Sequence, residues 1–369
     1  MNLRPSRHLP ASAAYLPALA TTRIVSPAPR DVWQRTLAAD PYACPTQTPQ
    51  WLDWLCTTRG YLDASRLYEL PDGRTLILPM AAKTCAGVRI TEESMPYGFG
   101  YGGALVAGGR LTASDADIVL ADLTRRPVVR LVVVPMPLTG DIWAAAAPPT
   151  AQRVPYLTQI VDLDGGSNTV WSKRYSRDAR NGVRRAEKNS LEIRRNHDAS
   201  AVEAFAELNR QSVDRWAQQR GQPLWVARLV EGRRNRTRQL ATASAALGQA
   251  CVSWSAHRAG DPVAVHVTLH YGEQSILWMS VMNRDLANET YAGYLLQWLA
   301  IQDACNAGAR YFHMGESEAG SGVEQFKAKF GASPVQYEAL RFERLPLTDT
   351  ERRLRAMAKR MTDRRRPEA

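Results

Sequence analysis

The spacing of apolar residues predicts helices and short strands that follow one another along the whole chain. Apolar residues recur every three or four positions, the period of an amphipathic helix, at residues 31–39, 48–60, 114–125, 199–219 and 292–307. Strand-like alternation or short apolar runs occur at residues 65–70, 75–82, 88–92, 128–134, 156–163, 249–257, 262–271, 273–281, 309–314 and 336–342. The chain is therefore predicted to have an α/β (α+β) fold.

Local signals at the ends of these segments support the prediction. Thr48 and Pro49 have the residue types of a helix N-cap and first helical position, and Gly60 has that of a helix stop. Tight turns at residues 260–261 and 272–273 predict that three successive strands form an antiparallel meander.

The Pro- and Ala-rich stretch at residues 135–150 completes the first of two α/β units, and the predicted domain boundary lies at residues 148–154. We predict a flexible leader at 1–22, a first domain at 23–150, a second at 151–346 and a basic helix or tail at 347–369. The tail carries apolar residues at seven-residue spacing among Arg and Lys. Packing on the body, on a membrane surface or on RNA all fit such a helix.

The net charge of +11 narrows the class of partner. Most of the excess lies in residues 171–240, which hold seventeen Lys and Arg residues against eight Asp and Glu. A chain this basic is expected to meet a polyanion, such as RNA, DNA, an anionic membrane or a nucleotide-linked substrate. No apolar run approaches the about 18 residues of a transmembrane helix, and a cytoplasmic protein is expected.

The cysteine and histidine residues form no ligand pattern. Cysteines at positions 44, 56, 85, 251 and 305 lack CxxC spacing, which predicts reduced thiols and no disulfide framework. His266 and His270 share one face of a predicted strand but lie too far apart to hold one ion easily. We therefore predict no metal site.

A cationic stripe is predicted on a helix near residue 177. Residues at three- and four-residue spacing share a helix face, and the stripe with its two neighbours consists of Arg177, Arg180, Asn181, Arg184, Arg185 and Lys188. Such a stripe is either a solvated face or a phosphate-binding face. We predict phosphate binding, in which each contact adds salt-sensitive affinity.

Glycines alternate with aromatic residues in the segment 95–105. This composition lets backbone and rings approach a partner closely. One interpretation is a loop that covers the sheet, and the other is that Tyr97, Phe99 and Tyr101 flank an acceptor cleft. The Lys-Ser/Thr ending of a phosphate-binding Walker loop is missing.

Residues 308–334 combine a short strand, an acidic glycine-bounded loop and a basic-aromatic run, FKAKFGASP at 326–334. This arrangement brings a flexible loop and two lysines to one place. Judged by its residues alone, such a lysine is more often a solvated surface charge than a catalytic group.

Several motifs resemble the FemABX aminoacyltransferases, a branch of the GNAT-like acyltransferases. They are FKAKFGASP at 326–334, WSKRYSRDARNGVRRAEKNSLEIR at 171–194, YLLQWLAIQDACNAG at 294–308, PQWLDWLCTTRGY at 49–61, LPM at 78–80 and PYGFGYGGAL at 96–105. The resemblance spans most of the chain. It implies two tandem GNAT-like domains, each with a mixed, largely antiparallel sheet flanked by helices.

The resemblance also implies a reaction and its participants. An aminoacyl group would pass from aminoacyl-tRNA, as co-substrate, to a primary amine of a small molecule or peptidyl acceptor, with no cofactor. Lys327 would stabilise the oxyanion or the leaving oxygen, and Phe326 would orient the acyl end. Either Glu316 or Glu318 on the adjoining loop is the base, or the substrate handles its own proton. The cationic stripe would bind the tRNA. Independently of the resemblance, the pattern of the basic tail allows a peripheral membrane contact.

Two other functions remain open from the sequence. An N-acyltransferase of the GNAT type would use acyl-CoA or another thioester on the same fold. Residues 283–290 lack the glycines that hold the CoA pyrophosphate in acetyl-CoA GNAT enzymes, which favours the tRNA donor. A non-catalytic RNA-binding or membrane-associated scaffold is the third alternative.

Overall fold

The computed structural model describes residues 16–345. Its helices are α1 Leu16–Thr21, α2 Arg30–Ala39, α3 Pro49–Arg59, α4 Ala113–Leu123, α5 Gly140–Ala146, α6 Gly166–Thr169, α7 Arg177–Ala186, α8 Val202–Gln219, α9 Leu224–Arg234, α10 Arg236–Leu247, α11 Arg284–Thr290, α12 Ala292–Asn306 and α13 Gly322–Ala328. Its strands are β1 Arg23–Val25, β2 Leu62–Asp63, β3 Arg66–Glu69, β4 Thr75–Leu78, β5 Ala81–Cys85, β6 Val88–Glu93, β7 Leu105–Val106, β8 Arg130–Val133, β9 Gln152–Asp162, β10 Glu192–Asn196, β11 Cys251–Arg258, β12 Asp261–Tyr271, β13 Gln274–Met282, β14 Tyr311–Glu316 and β15 Ser333–Glu343.

Most of the predicted leader and all of the predicted basic tail, residues 347–369, lie outside the described residues. Both therefore stay predictions. None of the helices described between residues 16 and 345 has the length and apolar character needed to cross a membrane.

Eleven strands form one continuous sheet in the order β10-β11-β12-β13-β14-β9-β15-β8-β6-β5-β2, and a smaller sheet has the order β1-β3-β4-β7. The β6–β8 and β13–β14 pairs are parallel, and the other pairs of the large sheet are antiparallel. This arrangement confirms the predicted α/β class with mixed, largely antiparallel sheets. The strand β15 pairs with β8, so the sheet continues across the predicted domain boundary.

Each face of the second half of the sheet is covered by its own layer of helices. On one face, α3, α8 and α10 pack their apolar residues against β12 and β13, around Trp51, Phe205 and Leu240. On the other face, α7 and α12 pack against β9 and β14, around Tyr175 and Phe312. The two faces of this part of the sheet therefore belong to two separate hydrophobic cores.

The helix signals near residue 48 work as predicted. The Thr48 side chain accepts a hydrogen bond from the Trp51 backbone N–H, and Gly60 ends α3 in the left-handed conformation with φ 64°. Gly tolerates this conformation because it has no Cβ. Trp51 and Trp54 are buried, as core anchors should be.

Three local predictions were wrong. Residues 75–82 form two strands, β4 and β5, rather than one. Residues 283–290, interpreted from the sequence as a turn, form α11 after an N-cap at Asn283. The helical spacing of residues 199–219 puts Trp216 against the core, but its side chain is exposed. The arginine-rich residues 228–238, interpreted from the sequence as an exposed basic extension, form α9 and the start of α10, and four of their five arginines are exposed.

Candidate functional site

The parallel strands β13 and β14 separate along their length. They pair only from Gln274 with Tyr311 to Ile276 with His313, although β13 continues to Met282 and β14 to Glu316. Beyond Ile276 and His313 the two strands are therefore not paired with each other, which leaves an opening in the middle of the sheet.

A β-bulge on each strand shapes the opening. In β13, Leu277 pairs with Thr268 and Met279 with Val267, so Trp278 is the extra residue. In β14, the register with β9 shifts between His313 and Glu316. Bulges redirect side chains and are frequent beside functional sites. Here they turn both strands at the level where they part.

Gly315 lies in the β14 bulge with φ 75°. Residues with a Cβ rarely adopt this conformation. Gly315 therefore allows the sharp change of direction that presents the next side chain, Glu316, at the opening.

Lys327 fixes the bulged end of β14 through hydrogen bonds. Its Nζ donates to Gly315 O at 2.6 Å, Glu316 O at 2.9 Å and Ser317 Oγ at 3.3 Å. The side chain is buried, with 7% exposed, and burial lowers the pKa of Lys327 to about 8 against a smaller opposing effect of Glu316. An ammonium has three N–H donors, so all of them are engaged with the chain.

One cavity, here called the arginine cavity, opens at the separated strands with a volume of about 530 Å³. Three arginines line it together with rings and the end of β14, in the set Arg59, Tyr61, Tyr97, Phe99, Tyr101, Arg234, Arg236, Trp278 and Glu316. Arg59 donates to the carbonyls of Arg234 and Arg233. Arg236 donates to Asn209 Oδ1 at 3.2 Å. Hydrogen bonds to the rest of the chain therefore hold the Arg59 and Arg236 side chains in position in the cavity wall.

A second cavity, here called the acidic cavity, has a volume of about 850 Å³ and adjoins the same strand end. Its lining includes Asp141, Tyr156, Glu316, Glu318, Tyr337 and Glu338. The rings of Tyr156 and Tyr337 stack with centroids 5.4 Å apart. No Lys or Arg is among its lining residues in the part of the chain described. The two cavities therefore differ in charge.

Glu316 is the residue that borders both cavities. Its Oε1 accepts a hydrogen bond from Tyr337 Oη at 2.8 Å, and burial raises the pKa of Tyr337 above its usual range. Tyr337 therefore remains a protonated donor at neutral pH. Glu316 is an exposed residue that Tyr337 holds in place where its side chain lines both cavities.

The three aromatic residues predicted at an acceptor cleft all border the arginine cavity. Tyr97 is 75% exposed at its rim, whereas Phe99 and Tyr101 are buried in its wall. The Tyr101 hydroxyl lies 3.1 Å from Thr158 Oγ1. The structure brings these residues together with Glu316, and their acceptor role stays a prediction.

The predicted cationic stripe is on α7, on the same side of the sheet as α12. The side chains exposed there are those of Arg177, Asn181, Arg184 and Arg185, and Lys188 is exposed two residues beyond the end of α7. A sixth residue, the half-buried Arg180, differs because it donates to the carbonyls of the preceding turn. Arg180 is thus partly committed to holding that turn, and the phosphate-binding role of the group stays a prediction.

Phe326 lies apart from both cavities. Its ring packs against Tyr294 and Phe330, each with centroids 5.0 Å away. The structure therefore places the partly buried Phe326 against the core beside α12, while the next residue, Lys327, reaches the strand end. Glu318 lines the acidic cavity but not the arginine cavity. The catalytic roles of these residues stay predictions.

Sequence reasoning missed Arg59, Trp278 and Tyr337, and it placed Arg234 and Arg236 in an exposed extension. A signal for Trp278 exists, because SILWMSV in β13 breaks strict alternation. The others gave none, since they come together only through tertiary packing.

The described residues include no group of three or more His, Cys, Asp and Glu side chains arranged to hold a metal ion. His266 is buried, and burial lowers the pKa of its imidazole to about 4. His270 instead contacts Ser275 Oγ at 2.7 Å and Thr268 Oγ1 at 3.0 Å. Both histidines are parts of the packed sheet.

Comparisons with known proteins agree with this geometry. Residues 173–328 match the family described as Acetyltransferase (GNAT) domain. No curated protein matches the sequence significantly. The solved structure of FemX is similar with a TM-score of 0.56 at 12% identity, over 87% of this chain and 97% of that one.

Two further solved structures are similar. A conserved protein of unknown function from Bacteroides thetaiotaomicron has a TM-score of 0.52 at 14% identity, over 87% of this chain and 98% of that one. A tandem GNAT protein from the clavulanic acid biosynthesis pathway has a TM-score of 0.49 at 14% identity, over 88% and 99%. This chain has a FemABX-like fold, and its residues 173–328 match an acyltransferase domain of the GNAT type.

Proposed function

We propose that this protein transfers an aminoacyl group from aminoacyl-tRNA to a primary amine of a peptidoglycan precursor or a small natural product. The amine attacks the ester carbonyl, a C–N bond forms, and the bond to the ribose oxygen breaks. The amine loses a proton and the ribose oxygen gains one. The ester is already activated, so the step needs no ATP.

The observation that carries the proposal is the position of the α7 cations beside the N-terminal end of α12. Arg185 donates to Tyr291 Oη at 2.7 Å, and Asn189 Nδ2 donates to Thr290 O at 3.3 Å. A helix, α11, fills the segment before α12. Donor phosphates would meet exposed arginine side chains there rather than the amides of a glycine loop, which favours a large polyanionic donor.

The proposed acceptor site is the arginine cavity. Its arginines and rings suit an acceptor that carries an anionic group and an apolar or planar part. The proposed base is Glu316, because its carboxylate borders the cavity and is oriented by Tyr337. Lys327 would act through its charge and its hold on the Gly315 and Glu316 carbonyls.

A thioester donor is the second candidate, and the match to an acetyltransferase domain favours it. It would use the same opening between β13 and β14. The difference between the two candidates lies in the donor and not in the fold.

The test is amide formation by the purified protein with a pool of charged tRNA and a panel of amine acceptors. It is repeated after RNase treatment and with acetyl-CoA in place of tRNA. The double variant Arg177→Glu/Arg184→Glu should raise the KM for tRNA at least about tenfold and make the salt dependence shallower. Arg35→Glu, an exposed arginine on α2, is the matched control.

Product that requires tRNA and is lost with RNase would support the proposal. Amide formation that is unaffected by RNase and requires the thioester would overturn the proposal. An unchanged KM for tRNA in the α7 double variant would show that α7 does not bind the donor.

A further inference from the structure

The helix α9 has no buried residue along its whole length. It is attached to α8 through polar contacts, in which Arg228 binds Asp214 at 2.7 Å and Asn209 donates to Glu231 at 2.7 Å. Surface helices ordinarily bury an apolar stripe against the body. The outer face of α9 is therefore without a partner among the described residues.

This outer face is strongly apolar. Four of the ten large apolar side chains exposed in the described part of the chain lie on α9, at positions 224, 225, 229 and 230, and a fifth lies at position 216 on α8. Trp225 is 70% exposed and Leu229 is 51% exposed, and their four-residue spacing puts them on one side of the helix. Clusters of exposed large apolar residues mark interaction surfaces.

Arginines outnumber acidic residues around these apolar side chains. Arg220, Arg233 and Arg234 are exposed and form no ion pair within residues 16–345. Asp214 is paired with Arg228, and Glu231 accepts a hydrogen bond from the neutral Asn209 amide. The surface therefore combines an apolar ridge that includes tryptophan with an excess of unpaired arginines.

We propose that α9 docks on an anionic phospholipid bilayer. A helix with tryptophan and leucine on its outer side and arginines around them binds at the lipid interface, where the rings enter the headgroup region and the cations meet anionic lipids. A second copy of the chain would bring like charges together. RNA would satisfy the arginines but would leave Leu229 without an apolar environment.

Docking would also orient the protein. Arg234, the last residue of α9, lines the arginine cavity. The mouth of that cavity would then lie close to the lipid surface. The docking inference itself does not depend on the proposed reaction, and its test measures lipid binding without catalysis.

The experiment is sedimentation of the full-length protein with vesicles of phosphatidylcholine alone or with one part in about three of phosphatidylglycerol. The protein should bind the anionic vesicles and be released by salt. The double variant Trp225→Ser/Leu229→Ser should lower the partition coefficient at least about tenfold. Arg220→Glu/Arg233→Glu should do so on anionic vesicles by a similar factor.

Two controls make the result specific. Val88→Ser removes another exposed apolar side chain, on β6, and should bind like the parent protein. Trp225→Phe should still bind, but should lose most of the fluorescence quenching by brominated lipid.

Other outcomes would overturn the proposal. Vesicle binding that survives Trp225→Ser/Leu229→Ser would assign it to another part of the chain. A parent dimer that the same variant converts to monomer would identify a second copy as the occupant. An equal loss of tRNA affinity in the variant, with no vesicle binding by the parent, would identify RNA.

Discussion

The large sheet contains two parallel strand pairs, β6 with β8 and β13 with β14, each joined by a helical crossover. In one pair the two chain segments stay hydrogen-bonded to each other past the paired residues, and in the other they separate. In the first half, β6 and β8 are joined through α4, and the chain after β6 stays attached. Ser94 N donates to Val132 O at 2.9 Å, and Gly102 N donates to Val134 O at 2.9 Å. In the second half, β13 and β14 are joined through α11 and α12 and separate beyond Ile276.

The comparison shows how similar units can serve different purposes. The glycine-rich segment 95–105 lies beside the closed pair and places Tyr97 at the rim and Phe99 in the wall of the arginine cavity. The open pair has the bulge at Trp278 and the left-handed Gly315. The closed pair should therefore matter for stability, and the open pair should matter for activity.

Removing the Lys327 ammonium, which hydrogen-bonds the end of β14 in the open pair, should have the largest effect on activity. Lys327→Met keeps most of the apolar stem but leaves the Gly315 and Glu316 carbonyls without their partner. We expect amide-forming kcat to fall about 100-fold, because a displacement near 1 Å of a reacting group costs this much. The measurement is steady-state kinetics together with chemical denaturation, to separate the loss of activity from a loss of folded protein.

A second lysine on the same segment is a matched control. Lys329 forms a half-exposed ion pair with Asp178 at 3.6 Å, and such pairs contribute little. Lys329→Met should keep nearly the parent activity. Equal activity in both variants would mean that the strand end held by Lys327 has no part in the reaction.

Changing the closed pair should affect folding. A Cβ on Gly102 would lie 2.7 Å from Ser94 O and 2.8 Å from Ser94 C, and backbone atoms cannot rotate away. We expect Gly102→Ala to lower the free energy of unfolding by about 2 kcal/mol, the usual cost of overpacking. Urea denaturation of the two proteins measures the difference.

Gly109→Ala is the control for that substitution, because no atom lies within 4 Å of its added Cβ. It should change stability by less than about 0.5 kcal/mol. If Gly102→Ala were as stable as the parent but inactive, the closed pair would be part of the site and the contrast would fail.

The sequence predicted elements better than it predicted the site. The caps of α3 and the meander of β11 to β13 depend on neighbouring residues, and those local signals are in the sequence. Trp278 becomes a bulge only in register with β12. Such a register is a property of two strands, which is why the opening itself was not predicted.

The site residues show the same limit. The motif identified Lys327, but only the structure shows that its three donors bind the chain. Arg59 and Arg236 reach one cavity from α3 and α10, which are far apart in the sequence. An exposed run of arginines and a cavity wall have the same composition, so packing decides between them.

The protonation of Lys327 gives the smallest expected effect. Burial lowers its pKa from 10.5 to about 8 in the folded protein. Below pH 8 both states carry the proton, and the folded state bears the whole cost of the buried charge. Between pH 8 and 10.5 the folded state releases the proton first, so stability rises with pH relative to Lys327→Met. We expect this difference in unfolding free energy to grow by roughly 1 kcal/mol between pH 7 and 9, as measured by urea denaturation of both proteins. A decrease would mean that the Gly315, Glu316 and Ser317 contacts outweigh burial and keep the ammonium charged at the open strand end.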